Sequence, residues 1–305
     1  MRVSSMVEPA ESHDLRALAS RVFDSIDVSD TTRADYRYRI RLFLDFISAT
    51  GMNRNSLLDY KRSIGERNDI SVATKNKYMA AARVFLGELY RLGYLPVDIT
   101  VNVKGFQQSK KHKRLGITDD EMGRLAAHIR SLLETPASAR LRALVCLLAF
   151  QGLRQIEISR LDVMDVDLAH GTAMVHGKGR DDKEMVSLHP ETIKALSKHI
   201  SLHGIADGPL FMGYSGNSRR LTTRGVRSLI QSTLRELGIN KTVHGFRHYF
   251  TTKLVKTYKG DLLSVAQYTR HRSLEMLQVY NDSIKAEADL PRFYATFAEA
   301  SFDAE

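Results

Sequence analysis

Cysteine occurs once in the 305 residues, at position 146, so no internal disulfide can form. Cys146 lies inside an apolar run, where a thiol acts as a packing group rather than a nucleophile, and the absence of a disulfide fits a reducing compartment. Long hydrophobic runs are missing as well. No 18-residue apolar stretch occurs, and the N-terminal MRVSSMVEPAESHD lacks the apolar centre of a signal peptide. A cytoplasmic protein with no membrane partner is expected. The strings CxxC, HExxH and GxxxxGK[ST] are also absent. Neither a familiar zinc site nor a nucleotide loop is indicated, and no cofactor or metal is expected.

Negative charge is in short supply. Lys and Arg number 45 against 35 Asp and Glu, giving +10, while a hydrophobic content of 43% excludes a disordered chain. The excess is uneven. Residues 1–103 carry 15 basic and 13 acidic side chains, and residues 104–114 carry five basic and none acidic. Residues 181–285 hold 16 basic against nine acidic, and the last twenty hold one against five. Positive charge thus gathers at a central junction and over residues 181–285, as in a protein that wraps a polyanion.

The first hundred residues predict four helices. Leu15, Leu18, Ala19, Val22, Phe23 and Ile26 keep helical spacing, as do Tyr36, Ile40, Phe43, Leu44 and Ile47, which end at Gly51. A shorter helix follows Asn55, and a fourth runs from Ser71 to Gly93. On the second helix Arg33, Arg37 and Arg41 lie four residues apart, a stripe that reads equally as a solvated face or as phosphate contacts. Residues 104–116 are polar and basic without apolar periodicity and predict an interdomain linker, whose Lys110, Lys111, Lys113 and Arg114 suit a DNA backbone.

Thr118 and Glu121 form the signature of a capping box that opens the next helix. Residues 139–150 are apolar almost all round, which marks a helix inside a core. Three short β-like runs follow, at 163–168, 172–176 and 184–188, predicting an antiparallel meander within a mostly helical domain. Helices resume at 192–200, 226–237, 244–258 and 264–268. A terminal one is expected with Leu290, Phe293, Tyr294 and Phe297 on one face. The fold class is therefore mainly α: an N-terminal four-helix domain, then a mixed α+β domain with a small three-stranded antiparallel sheet.

Several residues suit phosphate chemistry. Arg154 leaves the buried helix in QGLRQIEISRL with Glu157 three residues on; a charge so near a core must be paired or face an anion. Lys178 sits at a hairpin tip between two glycines. His244 and Arg247 share a helical face, Arg270 and His271 follow, and Tyr280 lies nine residues after His271. Fixed cations, a proton acceptor and a phenol are what cleavage of a phosphodiester needs when no metal assists.

Taken in order, GLRxxE, GKG in a hairpin, HGFRH, an arginine–histidine pair and a tyrosine nine residues later resemble the tyrosine recombinase (phage integrase) family. The resemblance covers nearly the whole chain, because four helices followed by a basic linker look like that family's core-binding domain. It implies a core-type DNA-binding domain at 1–103, a linker at 104–116, a catalytic domain at 117–288 and an exchange helix at 289–305. A separate arm-binding domain is not expected. Carried over, the active site would be Arg154, Lys178, His244, Arg247, His271 and the nucleophile Tyr280, with Glu157 orienting Arg154; His248 reads as a packing residue or as one that supports the catalytic side chains from behind. The resemblance further implies double-stranded DNA with specific core sites as partner, and a homotetramer on two duplexes linked by the C-terminal helix. Gln151 stands where the family usually has threonine, and Thr269-Arg270-His271 where it usually has LGH. Two alternatives remain: a type IB topoisomerase, and a catalytically silent DNA-binding protein on the same scaffold.

Overall fold

The computed structural model describes residues 12–108, 116–177, 179, 182–213, 220–271 and 273–296. The chain divides into two compact units, Met1–Lys110 and Lys111–Glu305.

The first unit holds helices α1 (Ser12–Asp24), α2 (Asp30–Thr50), α3 (Ser56–Glu66) and α4 (Val72–Arg91). The hydroxyls of Ser29 and Ser71 accept hydrogen bonds from the N–H groups of Thr32 and Thr74, capping α2 and α4. The four apolar stripes close on one another around buried Phe23, Phe43, Tyr60 and Phe85. The Phe43 ring meets Tyr60 edge-on, with centroids 5.0 Å apart. Each such side chain taken out of water contributes about 1.5–3 kcal/mol.

The second unit begins with α5 (Asp119–Ser131), whose start is the expected capping box. The Thr118 N–H donates to Glu121 Oε2 at 2.8 Å, and the Glu121 N–H donates to Thr118 Oγ1 at 3.1 Å. Helix α6 (Pro136–Phe150) is the central element of the core, with Leu144, Leu147 and Leu148 fully buried, and it packs along α8 (Pro190–His203). The buried Thr192 hydroxyl donates to Gln151 Oε1 at 2.9 Å, so the glutamine at the end of α6 is satisfied against α8. Cys146 is buried here, and burial pushes its thiol up to about 12, as suits an inert packing group.

Between them lie α7 (Gln155–Arg160) and a sheet of β1 (Val166–Asp167), β2 (Thr172–His176) and β3 (Lys183–Ser187), antiparallel in the order β1-β2-β3. Ala173, paired with Val186, and Val175 face the core. The first expected strand is mostly lost: only Val166 and Asp167 pair, and Val163–Asp165 forms a 3-10 turn. There the Asp162 N–H donates to Asp165 Oδ2 at 3.0 Å, and the Val163 N–H donates to Gly208 O at 2.9 Å. The Asp165 carboxylate, accepting from the backbone three residues earlier, has outcompeted the ladder.

The remaining helices are α9 (Thr223–Glu236), α10 (His244–Thr257), α11 (Leu262–Thr269) and α12 (Leu274–Thr296). Helix α12 is longer than expected. It begins ahead of Tyr280 and runs without a break across residue 288, with Pro291 inside it. Leu290, Phe293 and Tyr294 are exposed on it, and Phe297 lies outside the described residues. A small apolar cluster of Val255, Val265, Leu277 and the body of Tyr280 joins α10, α11 and α12. Among the described residues no helix is long and apolar enough to cross a membrane.

Candidate active site

The turn between α6 and α7 starts the site. Gly152 has φ +59, and a Cβ there would lie 2.3 Å from Phe250 Cδ1, so glycine is needed both for the backbone and for the approach of α10. That approach brings Arg247 beneath the turn. Its Nη1 donates to Gly152 O at 2.7 Å and its Nη2 to Thr269 O at 2.6 Å, tying the α6–α7 turn to the end of α11. Burial, followed by the nearby Arg154 charge, brings the Arg247 guanidinium down to about 10.

Arg154 stands at the N-cap position of α7. Its N–H donates to Glu157 Oε2 at 2.7 Å and its Nη1 to Glu157 Oε1 at 2.8 Å. The Arg154 side chain stays partly exposed, while that of Glu157 is fully buried. The expected pairing of the two is present, and a further cation joins it. Arg270 Nη2 donates to Glu157 Oε2 at 2.9 Å, although Arg270 lies 113 positions away. Burial drives the Glu157 carboxyl up, but the Arg270 charge and the hydrogen bonds from both arginines hold it below the usual carboxylate range.

Helix α10 presents His244, Arg247 and His248 at i, i+3 and i+4, which share one face. The Tyr280 hydroxyl lies 2.8 Å from His248 Nδ1, and the two rings are 5.4 Å apart. The His244 ring meets His248 edge-on at 4.8 Å. His248, read from the sequence as a packing or supporting residue, is thus the imidazole that bonds the phenol. The available signal was its spacing, four residues after His244 on a helix. Burial pushes the Tyr280 phenol up to about 12 against the pull of the Arg247 charge. His271, just after α11, has Nδ1 2.7 Å from Thr269 Oγ1, on the residue whose carbonyl binds Arg247.

The structure therefore gathers Arg154, Glu157, His244, Arg247, His271 and Tyr280 around the α10–α12 corner and adds His248 and Arg270. Lys178, between β2 and β3, lies outside the described residues, as do Lys110, Lys111, Lys113 and Arg114. Two guanidiniums beside a neutral phenol bonded to an imidazole can hold an anionic phosphate against an oxygen nucleophile.

In the first unit the expected basic stripe splits. Arg33 is turned inward: its Nε donates to Phe23 O at 3.0 Å, its Nη2 to Ile26 O and Val28 O, and its Nη1 to Asp30. These bonds satisfy carbonyls where α1 ends, so Arg33 caps that helix end. Arg37 is ion-paired with Asp24. Arg41 is exposed and belongs to no ion pair among the described residues.

Residues 116–287 match the phage integrase family, and the chain belongs to it. The tyrosine recombinase XerC of Lactobacillus delbrueckii subsp. bulgaricus is 28% identical over 239 residues, covering 75% of this chain and 78% of that protein. XerC of Pelobacter propionicus is 27% identical over 286 residues, covering 87% and 89%. Among solved structures, the XerH site-specific recombinase in its post-cleavage complex with a palindromic difH substrate aligns with a TM-score of 0.73 at 20% identity, over 95% of this chain and 85% of that one. A lambda integrase tetramer bound to a Holliday junction aligns at 0.68 and 14% identity, over 90% and 78%. These two share the fold.

Proposed function

We propose that this protein is a site-specific DNA recombinase that cuts and rejoins strands through a 3′-phosphotyrosyl intermediate formed on Tyr280. The observation that carries the reading is the Tyr280 hydroxyl bonded to an imidazole, in a site where Arg154 and Arg247 converge. In the cleavage step the Tyr280 oxygen forms a bond to the scissile phosphorus and the bond from phosphorus to the 5′-oxygen breaks. The phenolic proton passes to the imidazole pair, His248 being in contact and His244 packed against it. Lys178 protonates the departing 5′-oxygen. Arg154 and Arg247 hold the non-bridging oxygens, and His271 adds a hydrogen bond to one of them. One diester replaces another, so a new 5′-hydroxyl reverses the step without ATP.

Double-stranded DNA is the partner, bound through Arg41, Arg37 once released from Asp24, and the linker cations Lys110, Lys111, Lys113 and Arg114. On this reading residues 1–103 form the core-binding domain and 117–288 the catalytic domain, and the protein works in the cytoplasm. The exposed Leu290, Phe293 and Tyr294 on α12 suit docking to a second copy in a tetramer on two duplexes.

The test is a randomised duplex pool with 5′-bridging phosphorothiolates, from which wild-type protein selects its own sites by covalent capture. Duplexes so recovered should recombine pairwise when built with ordinary phosphates. Relaxation of supercoiled plasmid with no exchange between duplexes would favour a topoisomerase, and failure to capture any DNA would favour a silent DNA-binding protein.

A further inference from the structure

Arg270 is at odds with its own backbone. It follows α11 with φ +54 and ψ +41, the left-handed conformation that glycine ordinarily supplies at a helix end. A β-carbon there is strained, and its side chain is nevertheless only 6% exposed. Within that buried setting Arg270 makes one hydrogen bond, from Nη2 to Glu157 Oε2, while its Nε and Nη1 have no partner among the described residues. A guanidinium that serves as a structural clamp uses several donors, as Arg33 and Arg247 do. What Arg270 contributes beyond one bond is charge.

The charge has a definite place to act. Glu157 is fully buried and bonds Arg154 twice. Alone, that carboxylate would cancel the Arg154 cation just where a phosphate is to be held. The Arg270 charge is also the strongest influence keeping Glu157 ionised against its burial. We propose that Arg270 is a positioning residue that neutralises Glu157, so that Glu157 fixes the Arg154 guanidinium in place while Arg154 and Arg247 present their full charge to the scissile phosphate. The inference rests on the reading of the chain as a DNA strand-cleaving enzyme.

Arg270→Gly suits the test because glycine accepts the left-handed turn, so the fold is retained while the charge is removed. Wild type, Arg270→Gly and Tyr280→Phe are compared in single-turnover cleavage on a duplex recovered from the randomised pool. It is made once with the natural scissile phosphate and once with an uncharged methylphosphonate there. Wild type should cleave and Tyr280→Phe should not. Arg270→Gly should bind DNA within about twofold of wild type and cleave the phosphate on the order of tenfold to a hundredfold more slowly, the range expected when electrostatic support is withdrawn. On the methylphosphonate, which needs less positive charge, its deficit should shrink to within about threefold. A wild-type rate for Arg270→Gly on the phosphate would overturn the proposal, as would an equal deficit on both linkages, which would mark Arg270 as merely structural. If wild-type protein cleaved neither linkage, the enzymatic reading itself would fall.

Discussion

Tyr280 Oη and His248 Nδ1 lie 2.8 Å apart on two helices that meet through a small apolar cluster. The phenol thus has an imidazole nitrogen within hydrogen-bond distance to take its proton. His248→Ala should therefore slow covalent attachment by on the order of a hundredfold, the usual loss when a positioned base is removed, with DNA affinity nearly unchanged. Single-turnover adduct formation measures this. A wild-type rate would return the proton to His244 alone.

The Tyr280 phenol, pushed up to about 12, makes a spectroscopic prediction. Folded-state burial favours the neutral form. Its contribution to stability is thus present below the ordinary tyrosine value near 10 and is lost as pH rises through about 12. The difference between ultraviolet titrations of wild type and Tyr280→Phe should show no phenolate step near 10. A step there would mean the hydroxyl is not buried, and an ionised nucleophile would then be available before substrate binds.

Arg247 and Arg154 should separate in stability although both support cleavage. Arg247→Ala removes the donors to Gly152 O and Thr269 O inside the core. It should cost about 2–3 kcal/mol, the price of stranding buried acceptors and emptying a packed position. Arg154→Ala removes a partly exposed side chain and should cost less. Each should lower cleavage by about a hundredfold or more. Thermal melts set beside cleavage rates check the contrast, and equal melting temperatures for the two variants would contradict it.

Arg33 and Arg41 make a parallel contrast in the first unit. Arg33→Ala should lower the melting temperature, because carbonyls at the end of α1 lose their donor. Arg41→Ala should leave it unchanged and flatten the slope of log affinity against log salt by about 0.9, the value for one lost phosphate contact. The reverse pattern would reassign both residues.

The sequence made some of this legible and not the rest, for identifiable reasons. Periodicity and caps are local, so the four helices of the first unit, the Thr118–Glu121 box and the buried α6 could all be read directly. The resemblance carried by the order of the motifs named Arg154, Arg247 and Tyr280 together, and in the structure Arg154 and Tyr280 both lie near enough to act on the Arg247 charge. Arg33 looked like its neighbours on a charged stripe, because nothing in side-chain spacing reveals that unsatisfied carbonyls at the end of α1 lie within its reach. The Arg270–Glu157 pair spans 113 positions and depends on a residue in a conformation its type disfavours. The start of α12 was missed although Leu274, Leu277, Tyr280 and Ile284 keep helical spacing, a stripe whose Leu277, Tyr280 and Ile284 join the apolar cluster with α10 and α11.

The most direct test is to identify the residue that carries the DNA. Wild-type protein trapped on a phosphorothiolate duplex is denatured and digested with protease and nuclease, and the modified peptide is sequenced by mass spectrometry. The expected result is a nucleotide joined through its 3′-phosphate to Tyr280, and no adduct with Tyr280→Phe. A nucleotide on any other residue, or an adduct that survives in Tyr280→Phe, would contradict it.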